Sequence, residues 1–336
     1  MLTTQHLVGT AAFDGLQAEW EALLPHSMTN TPFQTWAYQR AWWTHLHPTG
    51  GELHLLLVRD AAGSLVAVAS LYRTGDTLHF NGCVEETDYL DLICSAEVAS
   101  VAWDAVFDCL CSESFPAWQA IDLCNVPADS PTRTILPQLA ASRGFSLQTE
   151  IQEVCPIIKL PASFDAYLSS LDKKQRHETR RKLRRAAGAE ARLHMVSADD
   201  DLDAEVDAFL SLLQKSTPEK GAWLNAGRRA VFHEFARAAQ EAGTLQLLFF
   251  EVEGEKAAGL FNLDQGDRIW VYNSGLDPAA YGHLSAGVVL TTWSIEMAIN
   301  DGRAEFDFLR GNESYKYTFG AEDTTIHRFH IERTAR

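Results

Sequence analysis

Between Asp307 and Lys316 the chain reads Asp307-Phe308-Leu309-Arg310-Gly311-Asn312-Glu313-Ser314-Tyr315-Lys316, which packs two carboxylates, a guanidinium, a phenol and an amine into ten residues. Moving an acyl group onto an amine needs a base to take the ammonium proton and a donor for the departing group. Asp307 and Glu313 are the candidate bases and Tyr315 the candidate acid; Lys316 joins this catalytic set, and Arg310 is placed on the acceptor side. Gly311 permits a tight turn away from the strand before it. The same residues also fit a plain salt-bridged strand end, with Asp307, Arg310, Glu313 and Lys316 pairing locally.

A second segment, Trp270-Val271-Tyr272-Asn273-Ser274-Gly275, runs into Tyr281-Gly282-His283-Leu284-Ser285-Ala286-Gly287 and an amphipathic stretch to Asn300. A strand followed by small residues at a helix start offers unpaired N–H groups and the positive helix end to an anion such as a pyrophosphate. Alternatively, Ser285 only caps the helix while Ala286 and Gly287 allow close packing. A third segment, Lys173 to Arg185, holds eight Lys or Arg residues and one acid. At 100° per residue these charges point almost all round the helix, so one face of salt bridges does not absorb them. They fit a nearby polyanion or a solvated helix.

In the first half, Thr31-Pro32-Phe33-Gln34-Thr35-Trp36 with Trp42 and Trp43 reads either as a substrate cleft or as core. Glu85-Glu86-Thr87-Asp88-Tyr89-Leu90-Asp91 holds four carboxylates in seven residues and would attract a cationic amine, so Gln34, Asp88 and Tyr89 are the candidate acceptor contacts. His45 and His47 lack further ligands nearby, and the six cysteines form no C-x-x-C pair; no metal site is expected, and the cysteines are read as reduced and chemically idle.

The elements that must position these groups follow from periodicity. Helical spacing covers Phe13 to Leu24 and Trp36 to Leu46; strands at Leu53 to Val58 and Leu65 to Tyr72 form a hairpin over Asp60 to Ser64. Strands at Thr77 to Phe80, Tyr89 to Cys94 and Ala120 to Cys124 alternate with helices at Val98 to Cys111 and Thr132 to Ser142, and Phe145 to Ile151 is extended. The order then repeats: helices at Ser163 to Ala187, Ala204 to Lys215 and Gly227 to Ala242, a hairpin of Leu245 to Val252 with Ala257 to Asp264, a strand at Arg268 to Gly275, a helix at Ala286 to Asn300 and a strand at Ala304 to Leu309. A repeat near half the chain length is a duplicated domain and not a solenoid. The predicted division is 1–152 and 153–336, joined by a linker near Glu150 to Pro161.

Length and charge bound the rest. The chain has 336 residues, 46% of them apolar, enough for two packed domains. Its net charge of −17 argues against general nucleic-acid binding. Through Val154 there are 5 basic and 18 acidic residues, and from Cys155 onward 23 and 27, so an anionic cofactor belongs in the second half. No stretch reaches the ~18 apolar residues of a membrane span, and the start of the chain lacks a secretory pattern, from which a cytoplasmic protein is expected.

Taken together, the Thr31 to Trp36 segment with Trp42-Trp43, Asp88-Tyr89-Leu90-Asp91, the basic Arg180 to Arg185 helix and the Asp307 to Lys316 run resemble the GNAT acetyltransferases of the CelD/BcsL type, which are distantly similar to the FemAB-like peptidyltransferases. The resemblance spans nearly the whole chain and is most specific at Asp307 to Lys316. It implies an α/β fold of two tandem GNAT-like domains, each a mostly antiparallel mixed sheet flanked by helices. The first domain would be degenerate and face the substrate; the second would bind acetyl-CoA or another acyl-CoA between splayed strands. Val271, Tyr272, Asn273 and Ser274 would meet the pantetheine arm, with Ser285, Ala286 and Gly287 at the pyrophosphate. The segment His283-Leu284-Ser285-Ala286-Gly287 departs from the usual GNAT phosphate loop, which has a basic or glutamine residue and spaced glycines.

The expected activity is therefore acyl-CoA-dependent N-acylation of a small-molecule or glycan-linked amine by direct transfer. One alternative is a FemAB-like aminoacyl-tRNA-dependent transferase, the one case in which nucleic acid would be a partner. Another is a non-catalytic binding protein on the same fold.

Overall fold

The structure is a computed structural model that describes residues 2–83 and 86–334. Glu85 of the acidic segment lies outside the described residues. The chain divides into two compact units, Met1–Val154 with Thr325–Arg336, and Cys155–Thr324. Thr325–Arg336 thus group with the first unit, whereas the division expected from the sequence assigns 153–336 to the second.

In the first unit β1 (Thr3–Val8), α1 (Gln17–Leu23) and α2 (Trp36–Leu46) precede the meander β2 (Glu52–Arg59), β3 (Leu65–Thr74) and β4 (Thr77–Phe80). The short β5 (Ile93–Cys94), α3 (Ala99–Leu110), β6 (Ala120–Pro127) and α4 (Thr132–Arg143) follow, and β7 (Phe145–Lys159) runs through the Val154/Cys155 boundary. The sheet order is β1-β2-β3-β4-β6, with β5 on β3. Trp103 and Phe107 of α3 pack into its core with Phe80 and Leu123.

The second unit contains α5 (Phe164–Ser170), α6 (Lys173–Gly188), β8 (Arg192–Met195), α7 (Leu202–Ser216), α8 (Pro218–Trp223) and α9 (Ala226–Glu241). Then come β9 (Leu245–Val252), β10 (Glu255–Gln265), β11 (Arg268–Leu276), α10 (Ala286–Asn300), β12 (Glu305–Asp307) and α11 (Ser314–Thr318). Its sheet order is β8-β9-β10-β11-β12. One face carries α10, whose Val289, Leu290 and Ile295 are buried with Leu260, Val271 and Phe306. The other buries Phe209 of α7 and Phe232 and Phe235 of α9 against Phe261 and Tyr272. The last strand, β13 (Glu322–Arg333), pairs antiparallel with β6 from Ile326 to Glu332.

The duplication is visible in the registers. In each unit an antiparallel meander ends on a strand that pairs in parallel, for only three residues, with the strand beyond the next helix: Thr77↔Ala120 to His79↔Asp122 in the first, Arg268↔Glu305 to Trp270↔Asp307 in the second. Asp122 and Asp307 occupy the same register position, and each is ion-paired with an arginine, Arg328 and Arg268 respectively.

Several sequence expectations change. The linker near Glu150 to Pro161 is mostly β7, because Pro156 keeps a useful carbonyl although it lacks an N–H: that oxygen accepts from Phe308 N at 3.0 Å. The helix expected over Ser163 to Ala187 breaks at Leu171, and Asp172 caps its second part by accepting from Gln175 N at 2.9 Å. Only Ile93–Cys94 of the Tyr89 to Cys94 run is strand. The strands β1, β8 and β13 and the helices α8 and α11 lie outside the elements that periodicity predicts. Cys83 and Cys124 are joined as a disulfide, against the expectation of reduced cysteines. Among the described residues, no helix is long and apolar enough to cross a membrane, and no three His, Cys, Asp or Glu side chains are grouped as metal ligands.

Candidate active site

Past Trp270, β11 keeps its antiparallel pairing with β10 but loses β12, whose register ends at Asp307. Residues Val271–Leu276 therefore present peptide groups along an edge with no strand beside it. A bulge at Phe261/Asn262 re-aims this stretch, leaving Tyr272 as the extra residue. Gly275 follows because α7 crosses tightly there: a Cβ would lie 2.5 Å from Leu213 N and 2.8 Å from Leu212 C.

The turn after β11 ends in Ser285, which adopts φ 55°, a left-handed conformation uncommon outside glycine. Its side chain makes no capping bond, so the expectation that it serves only as a cap does not hold. The backbone N–H groups of Ala286 and Gly287 open α10 and have no intrahelical acceptor. Beside them lies a cavity of about 530 Å³, walled by Ser274, Gly275 and Leu276 of β11, Ser285, Ala286 and Gly287 of α10, and Tyr315 and Phe319. A Cβ on Gly287 would meet only Leu276 Cδ2 at 3.6 Å, so the glycine is not demanded by packing. Arg185 of the basic helix donates from Nη1 to the His283 carbonyl at 2.7 Å, which brings a cation to this loop.

The Asp307 to Lys316 run divides into structural and accessible groups. Asp307 is fully buried, bonded to Arg268 Nη1 at 3.1 Å and accepting from Leu309 N at 2.7 Å. It is withdrawn as a base because it is enclosed and its oxygens are engaged by Arg268 and by Leu309 N, so its lone pairs hold the strand end. Lys316 is also buried, and its Nζ donates to the carbonyls of Leu309 at 3.2 Å, Arg310 at 2.6 Å and Gly311 at 3.0 Å, with Glu313 Oε2 at 2.9 Å. That ammonium straps a loop in which Leu309 (φ 58°) and Gly311 (φ 104°) are both left-handed. Lys316 is thus a structural clamp and not a free catalytic amine. Arg310 lends its carbonyl to the same clamp.

Glu313 and Tyr315 remain on the open side. The Glu313 side chain is 58% exposed. Tyr315 is 44% exposed on the cavity wall with its ring edge-on to Phe308, and it is still crowded by protein, as expected of a side chain in a concave site. Burial, and then the charge of Glu313, push its phenol well above the ordinary range. Of the expected cofactor residues, Val271 and Tyr272 have buried side chains, Tyr272 among Phe232, Phe235 and Phe261, so they offer only backbone. His283 is exposed, and only its carbonyl is engaged by Arg185.

Sequence reasoning missed Lys220. From α8 its Nζ donates to Ser274 O at 2.7 Å and Asn273 Oδ1 at 3.2 Å, on the open edge of β11. Burial, with the positive charge of Lys316, lowers its pKa to about 8 against the opposing pull of Glu313. Thr217-Pro218, a cap followed by proline at the first helical position, was the available signal for the helix, but no local pattern marks the lysine.

The acceptor residues expected in the first unit are packed away. Gln34 is 1% exposed and donates to Asp91 O at 2.7 Å; Tyr89 and Asp88 are buried too. The acidic segment is an interior bracing point, where Asp91 accepts from Thr29 Oγ1 at 2.9 Å, Thr132 Oγ1 at 2.6 Å, Leu92 N at 2.8 Å and Ser130 Oγ. Four donors satisfy that carboxylate, so it does not serve as a lure for cations.

Residues 173–317 match the family model Acetyltransf_6, described as an acetyltransferase (GNAT) domain. A comparison with curated proteins found no match. Among solved structures the fold is similar to that of FemX, with a TM-score of 0.68 at 13% identity over 93% of this chain and 95% of that one. It is also similar to a conserved protein of unknown function from Bacteroides thetaiotaomicron VPI-5482, with a TM-score of 0.61 at 12% identity over 99% and 100% of the two chains. A third similar structure is L-PGS from Bacillus licheniformis, with a TM-score of 0.55 at 9% identity over 84% and 85%. At such identities these likenesses show the fold alone. Residues 173–317 of the second unit thus match a GNAT-type acetyltransferase domain, within an α/β fold of two units.

Proposed function

We propose that the second unit is an acyl-CoA-dependent N-acyltransferase that moves an acetyl or other acyl group directly onto an amine, as in the CelD/BcsL-type enzymes that the sequence resembles. One observation carries this reading: the open edge of β11, the uncapped start of α10 and Tyr315 all face a single cavity. Its wall suits a pantetheine arm, whose methylenes would lie on the apolar lining while its amides pair with peptide groups at Ser274 to Leu276. The Ala286 and Gly287 N–H groups would meet the pyrophosphate, with Arg185 supplying the cation that the loop itself lacks. Glu313 is the base that takes the acceptor's ammonium proton, through water at this exposure. N–H groups of the β11 edge polarise the thioester carbonyl as charge develops on its oxygen.

Thermal unfolding with acetyl-CoA tests this reading. Ligand at about 100 times its Kd should stabilise the protein by ~2.7 kcal/mol. A Ser285→Glu, Gly287→Glu double variant should fold and lose that gain, because two carboxylates would face the pyrophosphate. A parent that no acyl-CoA stabilises would exclude the reading.

A second reading, the aminoacyl-tRNA-dependent transferase, draws on α6. Lys173, Lys174, Arg180, Lys182 and Arg184 make no ion pair among the described residues, whereas Arg181 pairs with Glu178. Under this reading tRNA would bind with an affinity that falls steeply with salt, and acyl-CoA would be inert.

A further inference from the structure

We propose that Lys220 is the group that protonates the departing thiolate, its amine bonded to the carbonyl of Ser274, a residue that lines the cavity. The proposal rests on the acyl-CoA reading above. Three β11 residues line the cavity, Ser274, Gly275 and Leu276, and Leu276 lies nearest in sequence to the start of α10. An arm anchored at Ser285 to Gly287, beside Leu276, and laid along that edge would run towards Ser274, whose carbonyl oxygen lies 2.7 Å from Lys220 Nζ, and the proposal puts its sulfur there. The amine is held there by that carbonyl and by Asn273 Oδ1, both neutral acceptors. Among the described residues no carboxylate pairs with it, which leaves its charge available to an incoming anion.

The charged groups bearing on Lys220 are Glu313 and Lys316. From α7, Lys215 is engaged with Asp277 at 3.1 Å. With a pKa lowered to about 8, near the ~8.5 of an ordinary thiol, the Lys220 ammonium steadies the thiolate as the C–S bond breaks and passes it a proton as CoA leaves the site. Tyr315, pushed upward by burial and by Glu313, is a weaker acid than an unperturbed phenol and is the poorer donor. The protons balance. Glu313 takes one from the acceptor ammonium; the amine nitrogen bonds to the carbonyl carbon; the C–S bond breaks and sulfur takes a proton from Lys220. The remaining ammonium-type proton on the new amide nitrogen returns to Lys220, and Glu313 releases its proton to water.

The test is the titration of the CoA thiol bound to the protein, followed by the ultraviolet absorbance of the thiolate, and it needs no acceptor. In the wild type the bound thiol should ionise about one to three pH units lower than in Lys220→Met, because an ammonium within ~4–6 Å favours the thiolate. Lys220→Arg should keep the shift, and Tyr315→Phe should leave it unchanged. Lys220→Gln, which keeps a donor to Ser274 O without the charge, replaces the methionine variant if that one fails to fold. An uncharged variant that binds CoA with an unchanged thiol titration overturns the role of Lys220 and leaves the acyl-CoA reading standing. A wild type that CoA neither stabilises nor binds overturns both.

Discussion

Replacing Lys316 with methionine separates a clamp from a catalytic amine. Its Nζ serves three carbonyls, those of Leu309, Arg310 and Gly311, and the bond to Leu309 is buried while the other two are partly so. Methionine keeps most of the packed stem and removes every donor. A buried carbonyl left without a partner costs ~1–3 kcal/mol. Taking about 2 for Leu309 and about half that for each carbonyl that water can reach, the loss comes to about 4 kcal/mol. For a unit of this size each kcal/mol moves Tm by ~2–4 °C, so a fall of about 8–16 °C is expected in calorimetry. Lys316→Arg should rescue poorly, because a planar fork does not point at three converging oxygens as a compact ammonium does. A Lys316→Met protein within ~0.5 kcal/mol of the parent in urea titrations would refute the clamp and return this lysine to the catalytic candidates.

Two further outcomes follow from particular contacts. Gly275→Ala should destabilise the second unit by about 1–3 kcal/mol, since its Cβ would meet backbone atoms of α7 that no rotamer change can move; Gly287→Ala should be tolerated, and equal effects in denaturant titrations would contradict this. His54 is fully buried, with its Nδ1 2.9 Å from His6 Nε2; burial first, and then the charge of His6, lower its pKa from 6.5 to about 4. Between those values the unfolded chain binds more protons than the folded one, so stability is complete above about 6.5 and lost as pH falls towards about 4, by up to ~1.4 kcal/mol per pH unit. His54→Gln should flatten that slope in acid unfolding curves; an unchanged slope would assign it to other groups.

The sequence was informative where neighbours in the chain are also neighbours in space. The meanders Leu53 to Phe80 and Leu245 to Gly275, and the helix from Ala286, are written in local periodicity, and their repeated order showed the duplication. The loop Ser285-Ala286-Gly287 was legible for the same reason: strand, turn and helix start are consecutive. Residue type alone misled at Asp307 and Lys316. A carboxylate and an amine in a reactive-looking run look the same whether they face solvent or three carbonyls, and only packing buried them. The acidic segment misled in the same way, because the hydroxyls that satisfy Asp91 come from Thr29, Ser130 and Thr132, up to 62 positions away.

By itself, then, the sequence determined the alternation of helices and strands, the concentration of cations after Cys155 and the small residues that open α10, because each depends on side chains a few positions apart. Tertiary structure decided which groups reach the cavity. Lys220 stands on Ser274, 54 residues further along the chain, because α8 follows α7, which crosses β11 at Gly275. Long-range contacts of this kind fix burial, and burial sets whether a titratable side chain braces the fold or remains available for chemistry.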